Sequence, residues 1–182
     1  MSRIQDAARR AFMLRRLVLV ALLVSFETGG ASPRKVTQIV IRKKDHELAL
    51  LAGNDVVRRY RVALGPGSPG PKLREGDATT PTGRYHVTMH QPSQYRWFLR
   101  LDYPNAEDLK RFDALKRSGA LPRDAKIGGD IGIHGPPVSA PDLLKPSYKL
   151  SDWTLGCIAV DDEEIQEIAR LVKDGTDVTI EE

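Results

Sequence analysis

Residues 65–83, GPGSPGPKLREGDATTPTG, constrain the fold more strongly than any other part of the sequence. This segment contains five glycines and four prolines, which is too many for a helix or a regular strand. Sequence typical of β-strands lies on both sides of it. The segment is therefore predicted to be a loop within one domain, with a simple linker as the alternative. Loops of this length in compact domains are often functional.

Short segments rich in β-branched and alternating apolar residues make up most of the remaining chain. The predicted strands are residues 36–41, 47–51, 56–64, 84–90, 97–101, 127–134 and 177–180. These strands do not alternate with helices in a βαβ pattern. The sequence therefore predicts a mainly β (α+β) fold with helices packed at its margin.

Two helices are predicted, over residues 105–117 and 161–173. In the first, Leu109, Phe112 and Leu115 recur at helical spacing between charged residues. In the second, Asp161 stands at the N-cap position and Glu164 follows three residues later. That spacing is the capping-box pattern, which indicates a helix beginning just after Asp161.

Residues 1–31 differ in character from the rest of the chain. Five arginines precede an uncharged run of ten residues, Leu17 to Phe26, and small residues follow at 29–31. A membrane-spanning helix needs about 20 apolar residues, so this run is short for a permanent anchor. The layout is typical of a signal peptide or signal anchor, with a buried N-terminal helix as the alternative. Residues 32–182 are then the mature domain.

The charge balance supports export and argues against a nucleic-acid partner. The formal net charge is +4. Residues 1–31 carry the five arginines against Asp6 and Glu27, a net of +3, which leaves +1 for residues 32–182. A nearly neutral domain lacks the basic surface that neutralises phosphates. We expect a location in the periplasm or cell envelope, with membrane contact only through an uncleaved leader.

Cys157 and His134 are the candidate catalytic residues. Cys157 is the sole cysteine of the chain, which excludes an intramolecular disulfide and any cysteine-rich metal site. A cysteine nucleophile needs a neighbouring base, and His134, at the end of an apolar strand, has an ordinary pKa suited to that role. Gly156 allows a tight turn in which the amides of Gly156 and Cys157 donate to an oxyanion. The alternatives are a buried core cysteine, a structural histidine and an ordinary turn glycine.

The positions of the other three histidines do not indicate a metal site or a cofactor site. His86 and His90 lie four residues apart on a predicted strand, and His46 lies in a charged turn. Zinc binding by this set would need an unusual geometry. The sequence also contains no phosphate-binding loop and no dinucleotide fingerprint. No cofactor and no metal are therefore predicted.

Several short motifs occur in an order and spacing that point to one family. They are Ile131-Gly132-Ile133-His134-Gly135, Gly156-Cys157-Ile158, Gly65, Gly70, Lys72, Gly76-Asp77, Thr80-Pro81, Gly83-Arg84-Tyr85, Tyr103-Pro104-Asn105 and Asp108. Together they resemble the L,D-transpeptidases, the YkuD-type catalytic domain of bacterial cell walls. The resemblance covers about residues 36–181, nearly the whole mature domain.

The resemblance implies a β-sandwich-like catalytic domain with peripheral helices and a defined chemistry. Cys157 corresponds to the nucleophile, His134 to the base, and Gly135 to the residue whose carbonyl orients that histidine. The family attacks the bond after an L-centre in a peptidoglycan stem tetrapeptide, forms a thioester and releases the terminal D-residue. An amine on a second stem, or on a wall-anchored protein, then takes the acyl group. With water as acceptor, the same site would be a carboxypeptidase or amidase.

Two positions depart from the family pattern. Many members have a second histidine directly before the Gly-Cys pair, where this chain has Leu155, and Arg or Asn two residues after the cysteine, where it has Ala159. Both departures bear on the shape of the substrate site and on the choice of acceptor. They also motivate a third hypothesis, a non-catalytic module that binds the cell wall.

Five further residues are candidates for binding the substrate. Tyr95, Tyr148 and Trp153 are candidate walls of the cleft, with packing in the core or at its rim as the alternative. Lys72 and Arg84 are candidates for meeting stem carboxylates, with solvated surface positions as the alternative.

Overall fold

The structure is a computed structural model that describes residues 35–182. The predicted leader, residues 1–31, lies outside the described residues. The strands are β1 (Gln38–Arg42), β2 (Glu47–Ala52), β3 (Asp55–Arg61), β4 (Gly83–Ser93), β5 (Arg96–Leu101), β6 (Gly132–His134), β7 (Ile158–Ala159) and β8 (Asp177–Glu181). The helices are α1 (Ala106–Arg117) and α2 (Asp162–Leu171), with a 3₁₀ turn at Lys145–Lys149.

The eight strands form a sheet in the order β3-β2-β1-β8-β4-β5-β6-β7. The β1–β8 and β6–β7 pairs are parallel, and the other pairs are antiparallel. Ala63, just after β3, exchanges two backbone hydrogen bonds with Ala159 of β7, at 2.9 and 2.8 Å. These bonds join the two ends of the strand order, so the sheet curls back on itself. The predicted mainly β class with peripheral helices is confirmed.

One hydrophobic core fills the concave side of the curled sheet. Alternate residues of β1 and β2 point into it, because successive side chains of a strand face opposite sides. Helix α2 contributes Ile165 and Ile168, both fully buried, and Val172 follows at its end. Burying this stripe holds α2 against the sheet at β5, and two residues, Val160 and Asp161, connect β7 to α2.

Both predicted helices are present, and their capping residues set where they begin. Asn105 caps α1, and its side chain accepts the N–H groups of Glu107 and Asp108. Asp161 is the N-cap of α2, and the Glu164 carboxylate accepts its N–H at 2.9 Å. Such side-chain acceptors satisfy N–H groups that have no partner within a helix.

Two predicted strands are too long. The predicted strand 127–134 is wrong over most of its length, since only Gly132–His134 pairs as a strand. Gly128 and Asp130 have φ angles of +79° and +57°, and β-strands require negative φ. The predicted strand 56–64 ends at Arg61, after which Ala63 makes a single bridge. Residues 127–131 therefore form an irregular segment that leads into β6.

Candidate active site

Strands β6 and β7 bring His134 and Cys157 to the same face of the sheet. Ile133 lies opposite Ile158 in this parallel pair, and both isoleucines are completely buried in the core. Cys157 directly precedes Ile158, and His134 directly follows Ile133. Because side chains alternate between faces, Cys157 and His134 both point away from the core. His134 is the last residue of β6 and Cys157 directly precedes β7, so the two residues lie diagonally across neighbouring segments of the sheet.

His134 and Cys157 line one cleft of about 550 Å³. Three of the five predicted substrate-binding residues, Tyr95, Trp153 and Lys72, also line this cleft. Tyr148 does not line the cleft. Its ring packs against that of Trp153, at a centroid distance of 5.2 Å. The fifth, Arg84, is exposed on β4 and lies outside the cleft lining.

The imidazole of His134 is fixed in one orientation. Its Nδ1 lies 2.7 Å from the carbonyl oxygen of Gly135. Because a carbonyl oxygen only accepts, Nδ1 carries the proton, and the neutral ring presents the lone pair of Nε2. The ring packs against Tyr95, Trp153 and Phe98, at centroid distances of 4.5, 5.6 and 6.1 Å. Burial lowers the pKa of His134 below its usual 6.5, so the ring is neutral at pH 7.

Cys157 rests as a thiol. Its Sγ donates a hydrogen bond to the carbonyl of Asp130 at 3.4 Å. Burial raises the pKa of the Cys157 thiol above its ordinary 9.0, although the Gly132 amide and the positive charge of Lys72 oppose that shift. The resting pair is therefore a neutral thiol and a neutral imidazole. A thiolate forms only when a base accepts the proton.

The glycine-rich loop reaches the site through Lys72, whose side chain is only 3% exposed. Its Nζ donates to Asp77 at 2.6 Å and to the carbonyl of Leu155 at 3.3 Å. Asp77 also accepts three backbone N–H groups, from Leu73, Arg74 and Thr79. Burial by itself raises the pKa of Asp77, but these hydrogen bonds outweigh it and hold the pKa below its usual value. Lys72 thus ties the loop to Leu155, two residues before Cys157.

We expect Lys72→Met to destabilise the fold by about 3 kcal/mol, because it leaves a buried carboxylate without its cation. The free energy of unfolding, from urea titrations followed by circular dichroism, measures this loss. The double variant Lys72→Met/Asp77→Asn is the matched control and should recover part of it. Equal stability of the single variant and the unmodified protein would contradict the buried pair.

The turn before the nucleophile requires a glycine. Gly156 has a φ of +128°, and a Cβ there would lie 2.7 Å from the carbonyl oxygen of Thr79. Its N–H donates to Oγ1 of Thr154 at 3.2 Å, and that hydroxyl donates to the carbonyl of Cys157 at 2.8 Å. The Gly156 amide is therefore engaged within the turn.

The residues that line the cleft without having been singled out from the sequence include Phe98, Arg100 and Asp130. Phe98 and Arg100 lie opposite His134 and Gly132 across the β5–β6 pair, so they share the face of the catalytic pair. The alternation of residues 97–101 carries this signal, but only the strand register shows which face meets His134. Asp130 has no comparable signal in the sequence.

Residues 35–182 contain neither a candidate metal site nor a candidate membrane-spanning helix. No group of three or more His, Cys, Asp or Glu side chains there is arranged to hold a metal ion. Among the helices of the same residues, none is both long enough and apolar enough to cross a bilayer.

Comparison with solved structures shows a similar fold in proteins from three bacteria. The helical cell shape determining protein Pgp2 from Campylobacter jejuni (K307A mutant) is 25% identical, with a TM-score of 0.56 over 81% of this chain. An L,D-transpeptidase from Xylanimonas cellulosilytica is 17% identical, with a TM-score of 0.51 over 80%. Bd1075 of Bdellovibrio bacteriovorus is 21% identical, with a TM-score of 0.50 over 82%. Among curated proteins, no sequence matches significantly.

The match covers less of these proteins than of this chain. The chain spans 47% of the Pgp2 structure, 60% of the Xylanimonas structure and 52% of the Bd1075 structure. The family profile of the L,D-transpeptidase catalytic domain, YkuD, matches residues 36–180, which is most of the sequence. The chain therefore belongs to the L,D-transpeptidase catalytic-domain family.

Proposed function

We propose that this protein is an exported cysteine acyltransferase of peptidoglycan. It cleaves a stem tetrapeptide through a thioester on Cys157 and passes the acyl group to an amine, forming a cross-link or a protein attachment. The observation that carries this proposal is that Cys157 and His134 lie on the same face of the sheet, where β6 and β7 pair. The Nδ1 of that histidine is tied to Gly135, so its Nε2 is free to act as the base.

In the first half-reaction, Nε2 of His134 takes the thiol proton while Sγ attacks the carbonyl carbon after the L-centre. The Cys157 amide is the expected donor to the resulting oxyanion, since the Gly156 amide is engaged with Thr154. The imidazolium then protonates the leaving amine of the D-residue, and the thioester forms. In the second half-reaction, His134 takes a proton from the amine as its nitrogen attacks the thioester carbonyl. The C–S bond then breaks, and the imidazolium gives its proton to the leaving sulfur, which restores the thiol.

Two parts of this arrangement lower the barrier. General-base help of this kind contributes about 10²–10⁴-fold to the rate. One positioned oxyanion donor contributes about 10²–10³-fold. The rings around His134 exclude water from one side of the imidazole, which favours its neutral form and keeps Nε2 able to accept a proton.

Mass spectrometry of muropeptides after incubation with the purified protein tests the proposal. With an amine acceptor present, we expect a product whose mass equals that of the tetrapeptide stem plus that of the acceptor, minus that of the released free D-amino acid. Release of the D-residue without any transfer product would instead assign a carboxypeptidase or amidase on the same site. Absence of both products, together with no carbapenem adduct on Cys157, would favour a non-catalytic wall-binding module.

Export is part of the proposal and rests on residues 1–31 and on the family's association with the cell wall. N-terminal sequencing of the protein recovered from a periplasmic fraction tests it, with cleavage after Ala31 as the expected result. Recovery of the protein in the cytosol alone would contradict it.

The pH profile of acylation should report a neutral resting pair. Burial lowers the pKa of His134 below 6.5 and raises that of Cys157 above 9.0. The rate of carbapenem acylation should therefore increase with pH only below pH 6.5. It should then stay flat to about pH 9. Rates come from intact-protein mass spectrometry over pH 5 to 9, with free cysteine as the control. A rate that keeps rising tenfold per pH unit above pH 7 would mean that His134 does not act as the base.

A further inference from the structure

Arg100 lies in the same row of the sheet as the nucleophile. In the β5–β6 pair, Arg100 lies directly opposite Gly132. In the parallel β6–β7 pair, the register of Ile133 with Ile158 puts Gly132 beside Cys157. The side chains of Arg100 and Cys157 therefore leave the same face of the sheet. Only a glycine, which has no side chain, stands between them.

A single residue, Asp130, spans the distance between the guanidinium and the thiol. Its carbonyl oxygen accepts the hydrogen bond from Sγ of Cys157 at 3.4 Å. Its carboxylate lies 2.5 Å from Nη1 of Arg100. Arg100, Asp130 and Cys157 all line the same cleft. Asp130 therefore contacts both the guanidinium of Arg100 and the thiol of Cys157.

The contact with Asp130 leaves most of the guanidinium unused. The Asp130 side chain is 75% exposed and that of Arg100 is 42% exposed, so water and salt weaken this ion pair. Nε of Arg100 is buried without a hydrogen-bond partner in the described part of the chain. A guanidinium offers five N–H donors in a planar fork that suits a carboxylate. A ligand carboxylate can therefore replace Asp130 and gain hydrogen bonds.

We propose that Arg100 binds the terminal carboxylate of the residue that leaves the stem peptide. This inference rests on the proposed function. When the scissile carbonyl lies at Sγ of Cys157, the next residue of the peptide extends by about 3.3–3.6 Å. A residue of that length, extended along the row of Cys157, Gly132 and Arg100, brings its carboxylate closer to Arg100. Arg100 thus selects donor stems that end at the fourth residue with a free carboxylate.

Binding to the Cys157→Ala variant tests this inference without turnover. Isothermal titration compares a stem tetrapeptide as its free acid with the same peptide carrying a C-terminal carboxamide. We expect the amide to bind about 10–100-fold more weakly, because it loses a charge-assisted bidentate contact. Adding Arg100→Gln should remove this difference, and Arg100→Lys should retain a smaller one. Arg84→Gln, outside the cleft, is the matched control and should leave the difference intact.

A third peptide separates the terminal carboxylate from the other carboxylates of the stem. It keeps the free C-terminus but carries an amide in place of the side-chain carboxylate, and its binding should not depend on Arg100. Equal binding of the acid and the C-terminal amide would overturn the proposal, as would a preference that survives Arg100→Gln. An Arg100-dependent loss for the third peptide alone would also overturn it. Failure of the unmodified protein to turn over stem peptides would reject the proposed function and leave this binding result standing.

Discussion

Cys157→Ala is expected to abolish thioester formation completely, because alanine offers no nucleophile and the chain has no second cysteine to replace it. Release of the D-residue from a stem tetrapeptide should fall to the uncatalysed level. The fold should be nearly unaffected, since the substitution removes one sulfur atom and costs about 1 kcal/mol at most.

Intact-protein mass spectrometry with a carbapenem measures this loss directly. The unmodified protein should gain the mass of one carbapenem per chain, and the variant should gain none. Cys157→Ser is a useful companion, because its hydroxyl has the shape of the thiol but is a much weaker nucleophile near neutral pH. Thermal unfolding controls for the fold. If Cys157→Ala still released the D-residue, the nucleophile would be a different group.

His134→Ala is expected to lower the rate of acylation by about 10²–10⁴-fold, the usual contribution of a general base. Without His134, the thiol keeps the pKa that burial raises above 9.0, so little thiolate is present at neutral pH. Unlike Cys157→Ala, this variant should still acquire the adduct slowly. Its rate should climb with pH instead of reaching a plateau, which separates a lost base from a lost fold.

His90→Ala is the matched control for His134→Ala. His90 lies on β4, where its Nδ1 is 2.8 Å from Asp174, and it does not line the cleft. Removing it should leave the acylation rate within about twofold of the unmodified protein, as expected for a partly exposed surface pair. An equal loss of rate in both variants would indicate damage to the fold and not the loss of a base.

Helix α1 illustrates what periodicity predicts and what it leaves open. The spacing of Leu109, Phe112 and Leu115 correctly predicts a helix, but Leu109 is 45% exposed and Asp108 is the buried residue of α1. The Asp108 carboxylate receives hydrogen bonds from the Tyr85 hydroxyl at 3.3 Å and from Arg111 at 2.9 Å. These partners offset the cost of burying a charge. These partners lie on strand β4 and in the next turn of α1, so the apolar pattern alone does not reveal them.

Lys72 and Arg84 show the same limit at the site. The sequence makes both candidates for meeting stem carboxylates, with solvated surface positions as the alternative. The structure buries Lys72 against Asp77 and the Leu155 carbonyl, and it leaves Arg84 exposed on β4. Arg100, which the sequence does not single out, stands in the row of Cys157. Charge and residue type are local properties, whereas position relative to the thiol depends on strand register.

The sequence by itself determined the fold class, the two helices and the family to which this protein belongs. β-Branched segments, the capping box at Asp161 and the motifs around His134 and Cys157 act over a few residues, so they can be read along the chain. The tertiary structure decided which side chains meet. The parallel pairing of β6 with β7 joins residues far apart in sequence, and a shift of one residue would turn either catalytic side chain to the core face. Only the closed sheet therefore determines that a thiol, a free imidazole nitrogen and an arginine share one cleft.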